Sequence, residues 1–166
     1  MRAARDGDRD AIGDLYRQFA PMTHAILLSR VGPHEAEDLV QEVFLIAMRR
    51  LHRLRKADSF GPWVATIARR QAASHWRRRR WIPRLDQSSM VADPAQDRVQ
   101  ALEALAAIRS LPESYRETLL MRLVARMSGP EIAMRTGMTP GSVRVNLHRG
   151  MKLLRERLGV EDDSNG

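Results

Sequence analysis

The sequence contains no cysteine and no long apolar run. Without cysteine, disulfides and thiolate metal sites are excluded, and a reducing cytoplasm is the expected location. The longest strongly apolar run extends from Val43 to Met48, far below the ~20 residues that a membrane-spanning helix needs. The first ten residues alternate charges without an apolar segment, so we expect neither a signal peptide nor membrane insertion.

Sequence signatures of enzymes are also missing. The five histidines show no paired metal-ligand spacing, and no glycine-rich phosphate loop precedes a Lys-Ser or Lys-Thr pair. No nucleophile lies in a recognisable strand-turn-helix elbow. We therefore expect a protein that is not an enzyme and that holds no metal and no cofactor.

Basic charge is concentrated in two blocks of the chain. The net charge is +8; residues 49–84 carry 12 basic groups and 1 acidic group, and residues 109–157 carry 10 and 4. Between them, residues 85–108 carry 1 basic and 4 acidic groups. Clustered Lys and Arg gain free energy by releasing counterions from phosphates, so two blocks favour a nucleic acid bound at two places. A solvated basic surface is the alternative.

Helical periodicity dominates the sequence, and no segment shows the alternation of a strand. From Ile82 to Asp97 this periodicity fails among turn formers and polar residues. We therefore predict an all-α protein with two small helical domains, 1–82 and 98–166, joined by a flexible linker over 83–97. The expected helices run about Asp10–Ser29, Glu35–Leu54, Pro62–Trp81, Val99–Ser110, Ser114–Met127, Ser128–Gly137 and Pro140–Leu158.

The second predicted helix has an unusual polar side. Positions i, i+3, i+4 and i+7 carry Asp38, Gln41, Glu42 and Leu45, which we call the acidic face. It presents acidic and amide groups with one aliphatic residue, on a protein that is otherwise basic. Taken alone, an ordinary solvated helix surface is the more common interpretation.

The third predicted helix changes character along its length. Trp63 lies on its apolar stripe and is expected to pack in the core, whereas Trp76 and Trp81 are interleaved with arginines. Guanidinium groups pair with phosphates while indole rings stack on unpaired bases. This combination is typical of proteins that hold single-stranded nucleic acid.

The last two predicted helices form a helix-turn-helix. Gly137 is expected to end the first of them, and Pro140 begins the second after a short turn. The second helix is expected to pack through Val143, Leu147, Met151, Leu154 and Leu158, and its other face carries Ser142, Arg144, Asn146, His148, Arg149 and Lys152. Arg144 and Asn146 suit base edges, and Arg149 and Lys152 suit phosphates. A plain helical hairpin is the alternative.

Three stretches of sequence together resemble bacterial RNA polymerase sigma factors of the extracytoplasmic-function (ECF) type. They are Glu37 to Phe44 (EDLVQEVF), Phe60 to Arg69 (FGPWVATIAR), and Leu111 to Arg149, with LPE at its start, EIA within it and LHR at its end. The resemblance covers nearly the whole chain in order. It implies two helical domains, the family's second and fourth regions, and promoter-specific initiation with core RNA polymerase.

The resemblance also implies partners for each surface. The acidic face would dock on the coiled coil of the polymerase beta-prime subunit, and the two basic helices would bind promoter DNA. A cognate anti-sigma factor that covers these surfaces is a further implied partner. For the minus-ten element the DNA-binding residues would be Arg69, Arg70, Ser74, Trp76, Arg77, Arg78, Arg79 and Arg80, and for the minus-thirty-five element Ser142, Arg144, Asn146, His148, Arg149 and Lys152.

Two other functions are compatible with parts of the sequence. A conventional helix-turn-helix regulator would bind duplex DNA without polymerase. An interaction protein that merely sequesters another factor is the second, but it would give the arginine-rich helix no function. The family commonly has Asn and Asp where this chain has Arg70 and Ser74, and often Ser and Arg at the places of Val145 and Asn146. The promoter sequence therefore cannot be taken over from other members.

Overall fold

The structure is a computed structural model that describes residues 1–81 and 96–159, with side chains for 1–78 and 99–159. All secondary-structure elements in these ranges are helices and none is a strand, which confirms the all-α prediction. None of the described helices is long and apolar enough to cross a membrane. The helices are α1 (Arg2–Arg5), α2 (Arg9–Leu28), α3 (Pro33–Arg50), α4 (Phe60–Trp81), α5 (Gln96–Arg109), α6 (Glu113–Leu123), α7 (Gly129–Thr136) and α8 (Pro140–Leu158).

Helices α1 to α4 form an N-terminal module around the apolar stripes of α2, α3 and α4. The side chain of Asp8 caps α2 by accepting hydrogen bonds from the backbone N–H groups of the first turn. Phe60, at the start of α4, is 1% exposed and meets Phe19 of α2 edge to face, with ring centroids 4.9 Å apart. Trp63 packs partly buried against this core, as its place on the stripe predicts.

Helices α5 to α8 form a C-terminal module, in which α6 packs on α8. Gly150 of α8 permits this approach, because a Cβ there would lie 3.1 Å from atoms of Leu119 and Tyr115. Leu119 is fully buried, as are its neighbours in sequence, Leu120 and Met121. The helix-turn-helix therefore rests on a helix whose apolar residues are removed from water.

The two modules contact each other along a seam, which we define as the contact of α2 with α6 and of α4 with α7. Gly61 of α4 lies against the backbone of Arg135 in α7, and Pro62 lies against Gly137. The guanidinium of Arg135 donates to the Gln18 carbonyl oxygen at 2.7 Å. No pattern in the sequence predicts this seam.

Several predicted helix ends differ from the observed ones. The second helix ends at Arg50, and a single 3-10 turn, Leu51–Arg53, follows it. Helix α6 ends at Leu123 rather than near Met127, because Arg126 adopts a positive φ of 53° that breaks the helix. Leu158, the last residue of α8, is 44% exposed. The prediction that it packs α8 against the rest of the domain is therefore wrong. Of the predicted linker 83–97, residues 83–95 lie outside the described part and the last two belong to α5.

A capping box begins α7. The Ser128 hydroxyl accepts the backbone N–H of Glu131, and the Glu131 carboxylate accepts the Ser128 backbone N–H at 2.8 Å and its hydroxyl at 2.7 Å. These hydrogen bonds from the Ser128 backbone and side chain lower the pKa of Glu131. A lowered carboxyl pKa contributes stability at neutral pH, and this is lost as pH falls through that pKa.

We expect Ser128→Ala to lower the free energy of unfolding by about 1 kcal/mol at pH 7, because α7 loses its cap. The difference should begin to shrink below pH 4.5, the ordinary carboxyl value, and should be lost as the pH falls through the lowered pKa at which Glu131 becomes protonated in the folded chain. Urea titrations followed by circular dichroism would measure both values. Ser114→Ala in the exposed first turn of α6 is the control and should change stability by less than ~0.5 kcal/mol. Equal losses in the two variants would contradict the role of the cap.

Candidate polymerase and nucleic-acid interfaces

The acidic face lies on the solvent side of α3. All four of its residues are exposed, and Leu45 is 58% exposed. Within the described part of the chain, the recorded partner of Asp38 is the distant His34, with 3.8 Å between Nε2 and Oδ2. The opposite stripe of α3 is buried, so this face is held rigidly and remains free to meet a partner.

The basic face of α4 is mostly exposed. Arg70, Arg77 and Arg78 point into solvent, and Ser74 is half-buried. Arg78 approaches Glu42 of the acidic face at 4.0 Å, which places the two surfaces side by side. The predicted residues Arg79 and Arg80 belong to α4, but their side chains lie outside the described residues.

Trp76 is 51% exposed although its ring nitrogen is engaged. The indole N–H donates to the backbone carbonyl oxygen of Arg30 at 2.7 Å. This hydrogen bond fixes the ring against the end of α2 while half of its surface stays open to solvent. A fixed and half-exposed indole is well placed to stack on an unpaired base.

Arg69 differs from the other predicted DNA-binding residues because it is already paired. Its guanidinium donates to both oxygens of Glu117 in α6, with Nε 3.2 Å from each and Nη2 2.5 Å from Oε1. Hydrogen bonding to Glu117 raises the pKa of Arg69. The charge of Arg69 therefore faces the C-terminal module.

Glu117 itself was missed by the sequence analysis. It is 6% exposed, and besides Arg69 it binds Arg30, whose Nη2 lies 2.9 Å from its Oε2. We call these three residues the Glu117 clamp. Arg30 also pairs with Glu113, one turn earlier on α6. Glu117 comes directly before the buried run from Thr118 to Met121, and an unpaired carboxylate beside such a run would be costly. This position was the available signal that Glu117 has a cationic partner.

The helix-turn-helix has the predicted geometry. Gly137 ends α7 in the left-handed conformation with φ 77°, which only glycine adopts without strain. Thr139 caps α8 by accepting the Ser142 backbone N–H at 3.1 Å. Val143, 1% exposed, anchors α8 under α7. The turn and both caps therefore fix how α8 is presented.

The recognition face of α8 is open to solvent. Arg144, His148, Arg149 and Lys152 are exposed, whereas Asn146 is half-buried. Ser142 is exposed too, but its hydroxyl lies 2.8 Å from that of Thr139, so it also takes part in the cap. The structure therefore brings the predicted residues together on one helix.

Val145 is a residue of this face that the sequence analysis treated only as a departure. It is 41% exposed beside Arg144, and an apolar side chain there suits the methyl group of thymine. No group of three His, Asp or Glu side chains that could hold a metal occurs in the described part of the chain.

Comparison with known families identifies both modules. The Sigma-70 region 2 model matches residues 15–82, and the Sigma-70, region 4 model matches residues 101–154. Regions 2 and 4 in this order, on two helical modules, define an RNA polymerase sigma factor.

Related proteins show to which type of sigma factor the chain belongs. The RNA polymerase sigma factor CarQ of Myxococcus xanthus is 33% identical over 166 residues, covering 96% of this chain and 95% of that protein. The ECF RNA polymerase sigma factor SigF of Caulobacter vibrioides is 33% identical over 167 residues, covering 98% of this chain and 93% of that protein. The chain thus belongs to the ECF sigma factors, as its sequence motifs predict.

Solved structures of low sequence identity share the fold. CnrH, solved in complex with the cytosolic domain of CnrY, superposes with a TM-score of 0.66 at 18% identity, covering 97% of this chain and 96% of that one. RpoE of Bartonella quintana, solved with the anti-sigma factor NepR, superposes with a TM-score of 0.61 at 22% identity, covering 90% of this chain and 98% of that one. At these identities the likeness concerns the fold alone.

Family membership establishes the function. The chain is a sigma factor that directs promoter-specific transcription initiation through regions 2 and 4, binding core RNA polymerase and promoter DNA. Sigma factors are subunits of RNA polymerase without enzymatic activity of their own. The alternative of a conventional regulator acting without polymerase is therefore wrong, because region 2 makes up most of the N-terminal module.

Proposed function

We propose that the acidic face of α3 is the surface with which this sigma factor docks on the coiled coil of the beta-prime subunit. Its exposed carboxylates and Leu45 support the assignment. They form an acidic patch with an apolar contact on a chain of net charge +8. Apolar anchors surrounded by charges are typical of specific protein interfaces, where charges guide the encounter.

The two DNA-binding surfaces follow from the same reasoning. Residues 1–82 would form the domain that opens and holds the minus-ten element through α4, and residues 98–166 the domain that reads the minus-thirty-five element through α8, with 83–97 as the connecting linker. The exposed arginines beside a fixed Trp76 support strand separation driven by binding energy, because stacking and phosphate pairing stabilise the unpaired strand.

A cognate anti-sigma factor and a cytoplasmic location complete the proposal. CnrH was solved in complex with the cytosolic domain of CnrY, and the sigma factor RpoE of Bartonella quintana in complex with the anti-sigma factor NepR. This chain would take an inhibitor over the same surfaces, and it would act in the cytoplasm, where its polymerase works. Run-off transcription with core polymerase on a promoter library, with and without the chain, tests the assignment as a whole.

We expect Glu42→Lys to weaken binding to core polymerase about tenfold, because it reverses a charge at the centre of the acidic face. Fluorescence anisotropy of the labelled chain titrated with core enzyme would measure the dissociation constant. Asp14→Lys on α2 is the matched control, since it makes the same charge change at an exposed site off that face. Equal affinities of the two variants would contradict the docking surface.

We expect Arg144→Ala and Lys152→Ala to affect DNA binding differently. Loss of a base contact by Arg144 should reduce discrimination at one position of the upstream element by about 1–3 kcal/mol. Loss of a phosphate contact by Lys152 should weaken all sequences alike and reduce the slope of log affinity against log salt by about 1. Binding of substituted duplexes by the polymerase holoenzyme at several salt concentrations measures both. An Arg144 variant with unchanged sequence preference would contradict base reading.

A further inference from the structure

Val145 occupies the centre of the exposed side of α8. The helix is held in place by Val143 and Leu154, which are 1% and 6% exposed. At about 100° of rotation per residue, Val145 lies about 160° around the helix from Val143 and about 180° from Leu154. It therefore points away from the packed side, and 41% of its surface is exposed. The two residues that the sequence predicts to read bases, Arg144 and Asn146, flank it at about 100° on either side.

The neighbours of Val145 leave its side chain accessible. Gly141 lies one turn before it on the same side of α8, and a Cβ at Gly141 would meet no atom within 4 Å. The hydroxyl of Ser142 lies 2.8 Å from that of Thr139 and takes part in the cap of α8. Asn146 is half-buried. The centre of the recognition face therefore presents a valine beside a glycine rather than a hydrogen-bonding group.

The basic residues that follow Val145 on the same side of α8 would bring it to the DNA. Arg149 and Lys152 come one and two turns later, and both are exposed. Their charges suit phosphates, and phosphate contacts fix the position of a protein on the duplex. A single exposed apolar residue is common on protein surfaces and indicates nothing by itself. At the centre of a face with these cations, however, the valine would lose its water when the helix docks.

An apolar side chain at this position distinguishes thymine from the other bases. A recognition helix in the major groove brings its outermost side chains to the base edges. There guanine, adenine and cytosine present hydrogen-bonding groups, whereas thymine also presents its C5 methyl group. A valine that covers a base amino group or carbonyl oxygen removes this group from water without replacing its hydrogen bond, which costs free energy. Contact with the methyl group instead buries apolar surface and stabilises the complex.

We propose that Val145 is a specificity-determining residue, which selects thymine at one position of the minus-thirty-five element through contact with the C5 methyl group. The proposal rests on the proposed role of α8 in reading this element and adds a base that the helix selects. The family often has serine at this place, so the preference would belong to this chain rather than to the family as a whole.

Exchange of single thymines for deoxyuridine tests the contact, because it removes the methyl group and leaves base pairing unchanged. Holoenzyme reconstituted from core polymerase and the full-length chain would be titrated with a promoter duplex from the run-off library. Each duplex would carry deoxyuridine at one thymine of the minus-thirty-five element, on either strand. At one position the exchange should weaken binding by wild-type holoenzyme about fourfold, the loss expected for one buried methyl group. With Val145→Ser the same exchange should weaken binding less than about 1.5-fold.

Val99→Ser is the matched control for this experiment. Val99 is 39% exposed on α5, so the substitution makes the same chemical change at nearly equal exposure away from α8. Holoenzyme with this variant should show the full wild-type response to deoxyuridine. Val145→Ile, which keeps an apolar side chain at the contact, should show it too. Far-UV circular dichroism of the free chains would show that the variants fold.

Two results would overturn the role of Val145. One is an element in which no thymine responds to deoxyuridine with the wild-type chain, and the other is a response of Val145→Ser as strong as that of the wild type. A failure of the proposed function would look different. If α8 does not read the element, replacement of whole base pairs in it would leave the affinity of wild-type holoenzyme unchanged. If only the role of Val145 is wrong, the response to base-pair replacement remains.

Discussion

A carboxylate withdrawn from water governs the arrangement of this molecule. Burying an ion without a partner would cost several kcal/mol, so Glu117 can occupy its place on α6 only where guanidinium groups reach it. Arg30 and Arg69 reach it from two different helices of the other module. The Glu117 clamp therefore helps to fix the position of α6 relative to α2 and α4, together with the contacts of Gly61 and Arg135, and the helix-turn-helix is packed on α6.

The functional surfaces result from helices that are apolar on one side and charged on the other. In α3 and α8 the buried stripe fixes the helix, and the opposite side is free to specialise, as the exposed Leu45 and Arg144 illustrate. Charge of opposite sign is thereby kept on separate faces of a small protein. The proposed docking surface for protein and the two proposed surfaces for DNA can coexist because each belongs to a different helix.

Local patterns were sufficient to predict most of the helices and the helix-turn-helix. Apolar spacing located α2, α3 and α4, and the sequence from Ser128 to Pro140 carries caps and a glycine whose effects are short-range. The seam could not be predicted, because Arg69 and Glu117 are 48 positions apart and each has an ordinary local context. The early end of α6 at Leu123 was missed because Arg126, a good helix former, adopts a positive φ. Spacing and the family resemblance suggested the residues of the candidate interfaces, which stay predictions, but neither indicated that Arg69 pairs with Glu117.

The close approach at Gly61 has a consequence for sequence divergence within the family. Its neighbour is the carbonyl oxygen of Arg135, so no exchange of the side chain at 135 can make room for a larger residue at 61. Compensation would have to come from a shift of the whole helix α7. In this chain, a side chain at position 61 would therefore require α7 to move away or the two modules to lie farther apart.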